Sequence, residues 1–125
     1  MRCAVLAEPH HQLSDRVRGL LEPVFEVIVM VAEEASLTEA LARMEAAVAV
    51  VDLSLRPGDG LAMIRRLHAR FPAVTLIAIG AQASPAVSRA VAAAGAQAFV
   101  AKSVLGSELV PAVERLIARC RDDRT

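Results

Sequence analysis

In "VVDLSLRPGDG" (50–60) two valines run straight into Asp52, and a loop with Pro57, Gly58, Asp59 and Gly60 follows at once. An acid that closes an apolar run can cap the turn, bind a metal or act as a nucleophile. Two more charges stand behind comparable runs, Glu8 after "CAVLA" and Lys102 after "AQAFVA". Together the three suit a phosphoryl group. A carboxylate can attack phosphorus and carry it as an acyl phosphate. The attack brings two anions together, so a divalent cation must neutralise them. Mg²⁺ prefers oxygen ligands and often takes one or two carboxylates plus waters. Lysine offers a point charge to a phosphoryl oxygen. Singly, each residue also has a plain reading: Glu8 and Lys102 as solvated surface charges, Asp52 as a cap for its loop.

Their convergence depends on the elements that carry them. Apolar runs of strand length, 3–7, 25–31, 47–52, 74–79 and 96–101, alternate with segments of helical period. After the first run, Leu13, Val17, Leu20 and Leu21 share a helical face. Ser36 and Glu39 have capping-box spacing and predict a helix start, with Leu37, Leu41 and Met44 as its stripe. "DGLAMIRRLHARFP" predicts a third helix, with Leu61, Ile64, Leu67 and Phe71 inward and Pro72 as the stop. A fourth has Ser84 as cap, Pro85 in its first turn and Gly95 as stop. In the last, Leu109, Val113, Leu116, Ile117 and Cys120 align, and Pro111 predicts a late start or a bend.

Five βα units imply an α/β fold, a parallel sheet with helices on both faces and right-handed crossovers. Runs 1, 3 and 4 are apolar without alternation, as strands buried on both faces should be. The second carries Glu26 and is expected nearer an edge. Ligands of such sheets bind beyond the carboxyl ends of the strands, where Glu8, Asp52, Gly80 and Lys102 are expected.

The totals narrow the field. The 125 residues suit a single domain, 1–125, with 119–125 as tail or linker start. With 55% hydrophobic and 22% charged residues the chain has a folded protein's composition. A formal net charge of +0 and three Phe with no Trp or Tyr argue against direct nucleic-acid binding and base stacking. Cys3 and Cys120 lack metal-type spacing and read as small apolar fillers, or as one strand-borne and one helix-borne free thiol, in a reducing, cytoplasmic setting. No apolar run is long enough to span a membrane. The adjacent His10 and His11 read as a solvated loop, since neighbours rarely face one ion together.

With these residues in place, the chain resembles the receiver domains of two-component response regulators over nearly its whole length. Asp52 followed by "DG" at 59–60 is similar to the family's phosphoacceptor and the opening of its third helix. "AGAQAFVAKS" (94–103) resembles the glycine–aromatic–lysine run through strand 5. "EPHHQLSDRVRGLLE" resembles receivers of the LuxR/NarL/FixJ type, which precede a helix-turn-helix domain. The resemblance implies a doubly wound, CheY-like (flavodoxin-like) sandwich of strand order 2-1-3-4-5. It makes Asp52 the phosphoacceptor, Lys102 the phosphate-binding lysine, and Gly80 and Ala81 the phosphate-binding end of strand 4. It makes Glu8, Asp52 and the backbone carbonyl of Ser54 the metal ligands, and Phe99 the switch aromatic. The implied partners are a histidine kinase or other signalling protein, a second copy of the chain, and a LuxR-type DNA-binding output if the natural chain is longer.

Three positions depart from the family's pattern. Pro9 stands where the second acid, the direct metal ligand, usually is. Gly80 replaces the usual Thr or Ser, and Arg56 the usual proline, which is displaced to Pro57. Weak Mg²⁺ binding is expected from Pro9. Arg56 is expected to bring positive charge towards Asp52. Without a hydroxyl at Gly80, Phe99 is expected to be plain core filler. The leading expectation is a receiver, not an enzyme, whose degenerate site is weakly phosphorylated or unused and which works by protein interaction and dimerisation. An ordinary Asp52 switch controlling a DNA-binding output is the alternative. A phosphatase with an aspartate nucleophile is more distant, because Ser54 stands where such enzymes carry a second Asp. A flavodoxin-like cofactor domain is more distant too, since no Gly-rich phosphate loop follows strand 1.

Overall fold

The computed structural model describes the backbone of residues 2–124 and the side chains of 2–119. The elements are β1 (Cys3–Ala7), α1 (His11–Leu21), β2 (Val27–Val31), α2 (Glu34–Arg43), β3 (Val48–Asp52), α3 (Gly60–Arg70), β4 (Thr75–Gly80), α4 (Pro85–Ala94), β5 (Ala98–Ala101) and α5 (Leu105–Arg124). Short 3₁₀ turns, Leu53–Leu55 and Lys102–Val104, follow β3 and β5. All five strands are parallel, in the order β2-β1-β3-β4-β5. Every residue of β3 and β4 is buried, as their unbroken apolar runs imply, whereas β2 lies at an edge.

The strand period of two divides the interior into two cores. Val5, Ala7, Ala49, Val51, Leu76 and Ala78 face α2, α3 and α4, where they meet Leu37, Leu41, Met63, Ile64, Leu67 and Val91. Their neighbours Ala4, Leu6, Val48, Val50, Ile77 and Ile79 face α1 and α5, against Val17, Leu21, Leu105, Leu109 and Val113. With ordinary magnitudes, burying each of the larger side chains favours folding by about 1.5–3 kcal/mol.

Helix ends follow the sequence at α4 and at the end of α3, before Pro72, and depart from it in two cases. Ser84 caps α4 by accepting from the Val87 N–H at 3.1 Å, Pro85 opens the helix, and Gly95 closes it at φ 119°. The expected capping box at Ser36 does not form: α2 starts at Glu34, after Glu33, so Ser36 lies inside the helix. The expected late start of α5 is also corrected. The helix begins at Leu105 and contains Pro111. Leu105 and Leu109, both fully buried, anchor the turns before the proline. The backbone stays helical through most of the stretch expected to be tail, to Arg124. The Cys120 side chain lies outside the described residues.

In α3 the buried face is Met63, Ile64 and Leu67, with Leu61 and Phe71 only partly buried. Gly60 opens that helix because the chain passes too close for a side chain: a Cβ there would lie 2.7 Å from the Leu53 carbonyl oxygen. The "DG" of the loop thus lets α3 begin directly against the exit of β3. No helix among the described residues is long and apolar enough to cross a membrane.

Candidate functional site

Register brings the expected residues to one rim. Ala7 pairs with Val51, so Glu8 follows β1 level with Asp52 at the end of β3. Asp52 pairs with Ile79, and Gly80 with Ala101, which places Lys102 one residue beyond β5 on the same edge. Ala81 stands exposed just past β4.

Asp52 has no exposed surface. Its Oδ1 accepts from the Ser54 backbone N–H and from the Ser54 hydroxyl, both at 2.8 Å. Its Oδ2 lies 2.7 Å from Lys102 Nζ, an ion pair without the alignment of a hydrogen bond. Burial pushes the Asp52 carboxyl up, but a hydrogen bond with Glu8, the Lys102 ammonium and the Ser54 hydrogen bonds outweigh it and hold the group below its ordinary value.

Glu8 is not the solvated loop residue that its position also allowed; it is 2% exposed. Its Oε2 accepts from the His10 backbone N–H at 2.8 Å and lies 3.2 Å from His10 Nδ1. Burial, together with the neighbouring Asp52, pushes the Glu8 carboxyl up to about 7. As ionised carboxylates, Glu8 Oε1 and Asp52 Oδ2 are both buried without a hydrogen-bond donor. A proton held by Glu8 and donated to Asp52 satisfies both groups, as a cation between them would. The donor set therefore fits a divalent ion, and receiver domains bind Mg²⁺.

Both histidines are exposed, as expected, His10 in the loop and His11 opening α1, but ligands that the sequence did not reveal stand beside His10. One ligand atom each from Glu8, His10 and Asp52 lie within 4.8 Å of one another, a group able to hold a metal ion. His11 turns away to Asp15, 3.5 Å off on α1. The missed signal was the acid two residues before His10, which lets the turn after β1 fold the imidazole back onto Glu8. Arg56 is also corrected: its ion pairs are with Glu34 at 3.6 Å and Asp59 at 3.9 Å, and the cation beside Asp52 is Lys102. Arg66 completes that outer network, 2.8 Å from Glu34 and 3.1 Å from Asp59.

At the end of β4 the missing side chain of Gly80 is replaced by a ring. A Cβ at that position would lie 3.0 Å from Phe99 Cε2. Phe99 is partly buried and packs against the core beneath α3 and α4.

Residues 4–114 match the family described as the response regulator receiver domain. The chain is 35% identical over 88 residues to the DNA-binding transcriptional activator DevR/DosR of Mycobacterium tuberculosis, a match covering 68% of this chain and 41% of that protein. It thus spans less than half the length of this relative. Its fold superposes on the isolated receiver domain of RcsB from Salmonella enterica serovar Typhimurium with a TM-score of 0.83 at 25% identity, covering 94% of this chain and 89% of the other. A response regulator from Thermotoga maritima gives a TM-score of 0.84 at 19% identity, covering 94% and 98%. A receiver domain is a signalling module and not a catalytic enzyme. With the five-stranded order, the acid rim and a family match over most of its length, the chain belongs to the response regulator receiver domain family.

Proposed function

We propose that this receiver has a handicapped phosphorylation site and acts chiefly as a protein-interaction module, alone or as a dimer. The observation that carries the reading is what surrounds the fully buried Asp52: Pro9 and Gly80 supply neither of the polar side chains that the family usually has there. Pro9, exposed on the loop after β1, offers no second carboxylate. Gly80 offers no hydroxyl, and Phe99 occupies the space above it. Asp52 remains the phosphoacceptor and Lys102 the phosphate-binding residue, with Gly80 and Ala81 flanking the phosphate. Glu8, Asp52 and the Ser54 carbonyl would hold Mg²⁺, which when bound supplies charge neutralisation for an incoming phosphoryl group. A histidine kinase is the partner that would donate the phosphoryl group. A DNA-binding output is supported by the likeness to DevR/DosR, a DNA-binding activator of which this chain spans 41%.

The ordinary-switch reading is favoured by one observation, the retained Lys102–Asp52 pair at 2.7 Å. Incubation with a small-molecule phosphodonor and Mg²⁺, followed by intact mass, decides between the two. Little or no adduct, and no response to beryllofluoride, is expected. A stoichiometric adduct lost in Asp52→Asn would overturn the handicapped-site reading.

A further inference from the structure

We propose that Glu8, His10 and Asp52 form a site for a divalent transition-metal ion of the kind that accepts imidazole, with Zn²⁺ as the reference ion, in preference to Mg²⁺. The inference rests on reading the Asp52 rim as a metal site that has lost a carboxylate at Pro9. Two observations carry it independently. The first is the donor set: two carboxylates and one imidazole, with one ligand atom of each within 4.8 Å of the others. The second is Glu8 Oε1, which is buried without a hydrogen-bond donor and stands beside an Asp52 Oδ2 whose one cation is Lys102 at 2.7 Å.

Ligand chemistry decides the class of ion. Mg²⁺ asks for near-octahedral oxygen coordination and dehydrates reluctantly. This rim offers it two carboxylates, one already neutralised by Lys102. A nitrogen ligand adds little for Mg²⁺ but is well suited to Zn²⁺, Co²⁺ or Ni²⁺. Three protein ligands and an open position for water is a familiar Zn²⁺ arrangement. His10 is free to take part. Its ring is 69% exposed and sits on a turn, and its Nδ1 already faces Glu8 Oε2 at 3.2 Å. The Nε2–H would then point to solvent, fixing the tautomer that leaves Nδ1 as ligand. In this arrangement the histidine stands in for the acid missing at Pro9, and the exchange changes which metal is chosen.

Calorimetric titration of the metal-free protein with Zn²⁺ and with Mg²⁺, on the parent, His10→Ala and His11→Ala, tests this. Co²⁺ titration followed by visible absorption supplies a direct report on nitrogen ligation. Removing even an outer-sphere partner of a metal ligand typically costs 10–100-fold in affinity, so His10→Ala should weaken Zn²⁺ binding by about tenfold or more. Mg²⁺ affinity should not change, and the Co²⁺ spectrum should shift. His11→Ala should match the parent. Equal Zn²⁺ affinity in His10→Ala and the parent would overturn the proposal, as would loss of Zn²⁺ binding in His11→Ala, which would place the ion on α1 with Asp15. His10 is exposed, so its substitution leaves the core intact. The functional reading fails on a different readout, a stoichiometric phosphoryl adduct with Mg²⁺ alone, and the Zn²⁺ titration is decided independently of it.

Discussion

Lys102 Nζ lies 2.7 Å from Asp52 Oδ2, although β4 separates the strands that carry the two residues. The contact ties the last strand to the centre of the sheet through a carboxylate with no exposed surface. Removing the cation strands a buried anion. Lys102 keeps about a quarter of its side chain in solvent, which moderates the cost. Lys102→Ala should therefore destabilise the fold by about 2–3 kcal/mol, somewhat less than the breaking of a fully buried ion pair costs. Adding Asp52→Asn should return much of that, because the second change removes the stranded charge. Urea unfolding of the two single variants and the double variant measures the coupling.

The Glu8 carboxyl makes stability depend on pH. Its value rises from an ordinary 4.5 when unfolded to about 7 in the folded chain, chiefly through burial. The folded state thus holds a proton that the unfolded state has released, and stability falls as pH rises through this window. The contribution is full below about pH 4.5 and is lost by about pH 7. At about 1.4 kcal/mol per unit, the change is on the order of 3 kcal/mol. Asp52, held below its ordinary value, has the opposite sign but acts only at more acid pH. Urea midpoints at about pH 5 and about pH 7.5 should differ more for the parent than for Glu8→Gln. Equal midpoint differences in both proteins would show that Glu8 ionises normally.

Phe99 and Gly80 occupy one space. Since a Cβ at position 80 would meet the ring at 3.0 Å, Gly80→Ser must displace the ring or shift β4. Overpacking of this kind costs about 1–3 kcal/mol. Phe99→Ala in the same chain should relieve much of it. The chain has three Phe, so fluorine labelling of phenylalanine gives a countable spectrum. The Phe99 signal should move in Gly80→Ser while the other two hold. An unmoved signal would mean that the backbone, not the ring, yields.

Gly95 should tolerate substitution still less. It stands at φ 119°, and a Cβ there would lie 2.5 Å from the His68 ring. Strain and overlap act together, so Gly95→Ala should cost more than the 1–3 kcal/mol typical of backbone strain alone. Because the His68 Cβ would also lie 2.6 Å away, thermal unfolding of Gly95→Ala with and without His68→Gly separates the two causes.

How much of this was legible in the sequence depended on whether contacts were set by period or by turns. The strands of the interior declared themselves because "VAVV" and "TLIAI" are apolar on both faces, and their parallel pairing then fixed Glu8, Asp52 and Lys102 on one edge. Directions taken within loops were not legible. Arg56 reaches Glu34 and Asp59 because the turn before α3 carries it outward. His10 folds back on Glu8 because the bend at Pro9 reverses the chain. The late start that Pro111 suggested is not taken, because a local penalty is outweighed by the burial of Leu105 and Leu109, a tertiary effect.

The loop after β1 also offers the sharpest test of the metal rim. Pro9→Asp places a third carboxylate close to Glu8, whose Oε1 already lacks a donor, and to Asp52. Without a cation the added anion repels both, so the metal-free variant should melt below the parent. A bound ion reverses that penalty, and Mg²⁺ should raise the melting temperature of the variant more than that of the parent. Because the new ligand is an oxygen, the gain should be larger for Mg²⁺ than for Zn²⁺. An increase of about a hundredfold in Mg²⁺ affinity would correspond to about 2.7 kcal/mol. The substitution also frees the backbone that proline fixes, while the His10 N–H that donates to Glu8 is retained. Calorimetric titration of both proteins with Mg²⁺ measures the difference. Tight binding of equal strength in the two would show that Glu8 and Asp52 suffice and that Pro9 costs the site nothing. No binding in either would show that the Lys102 ammonium has taken the cation's place beside Asp52.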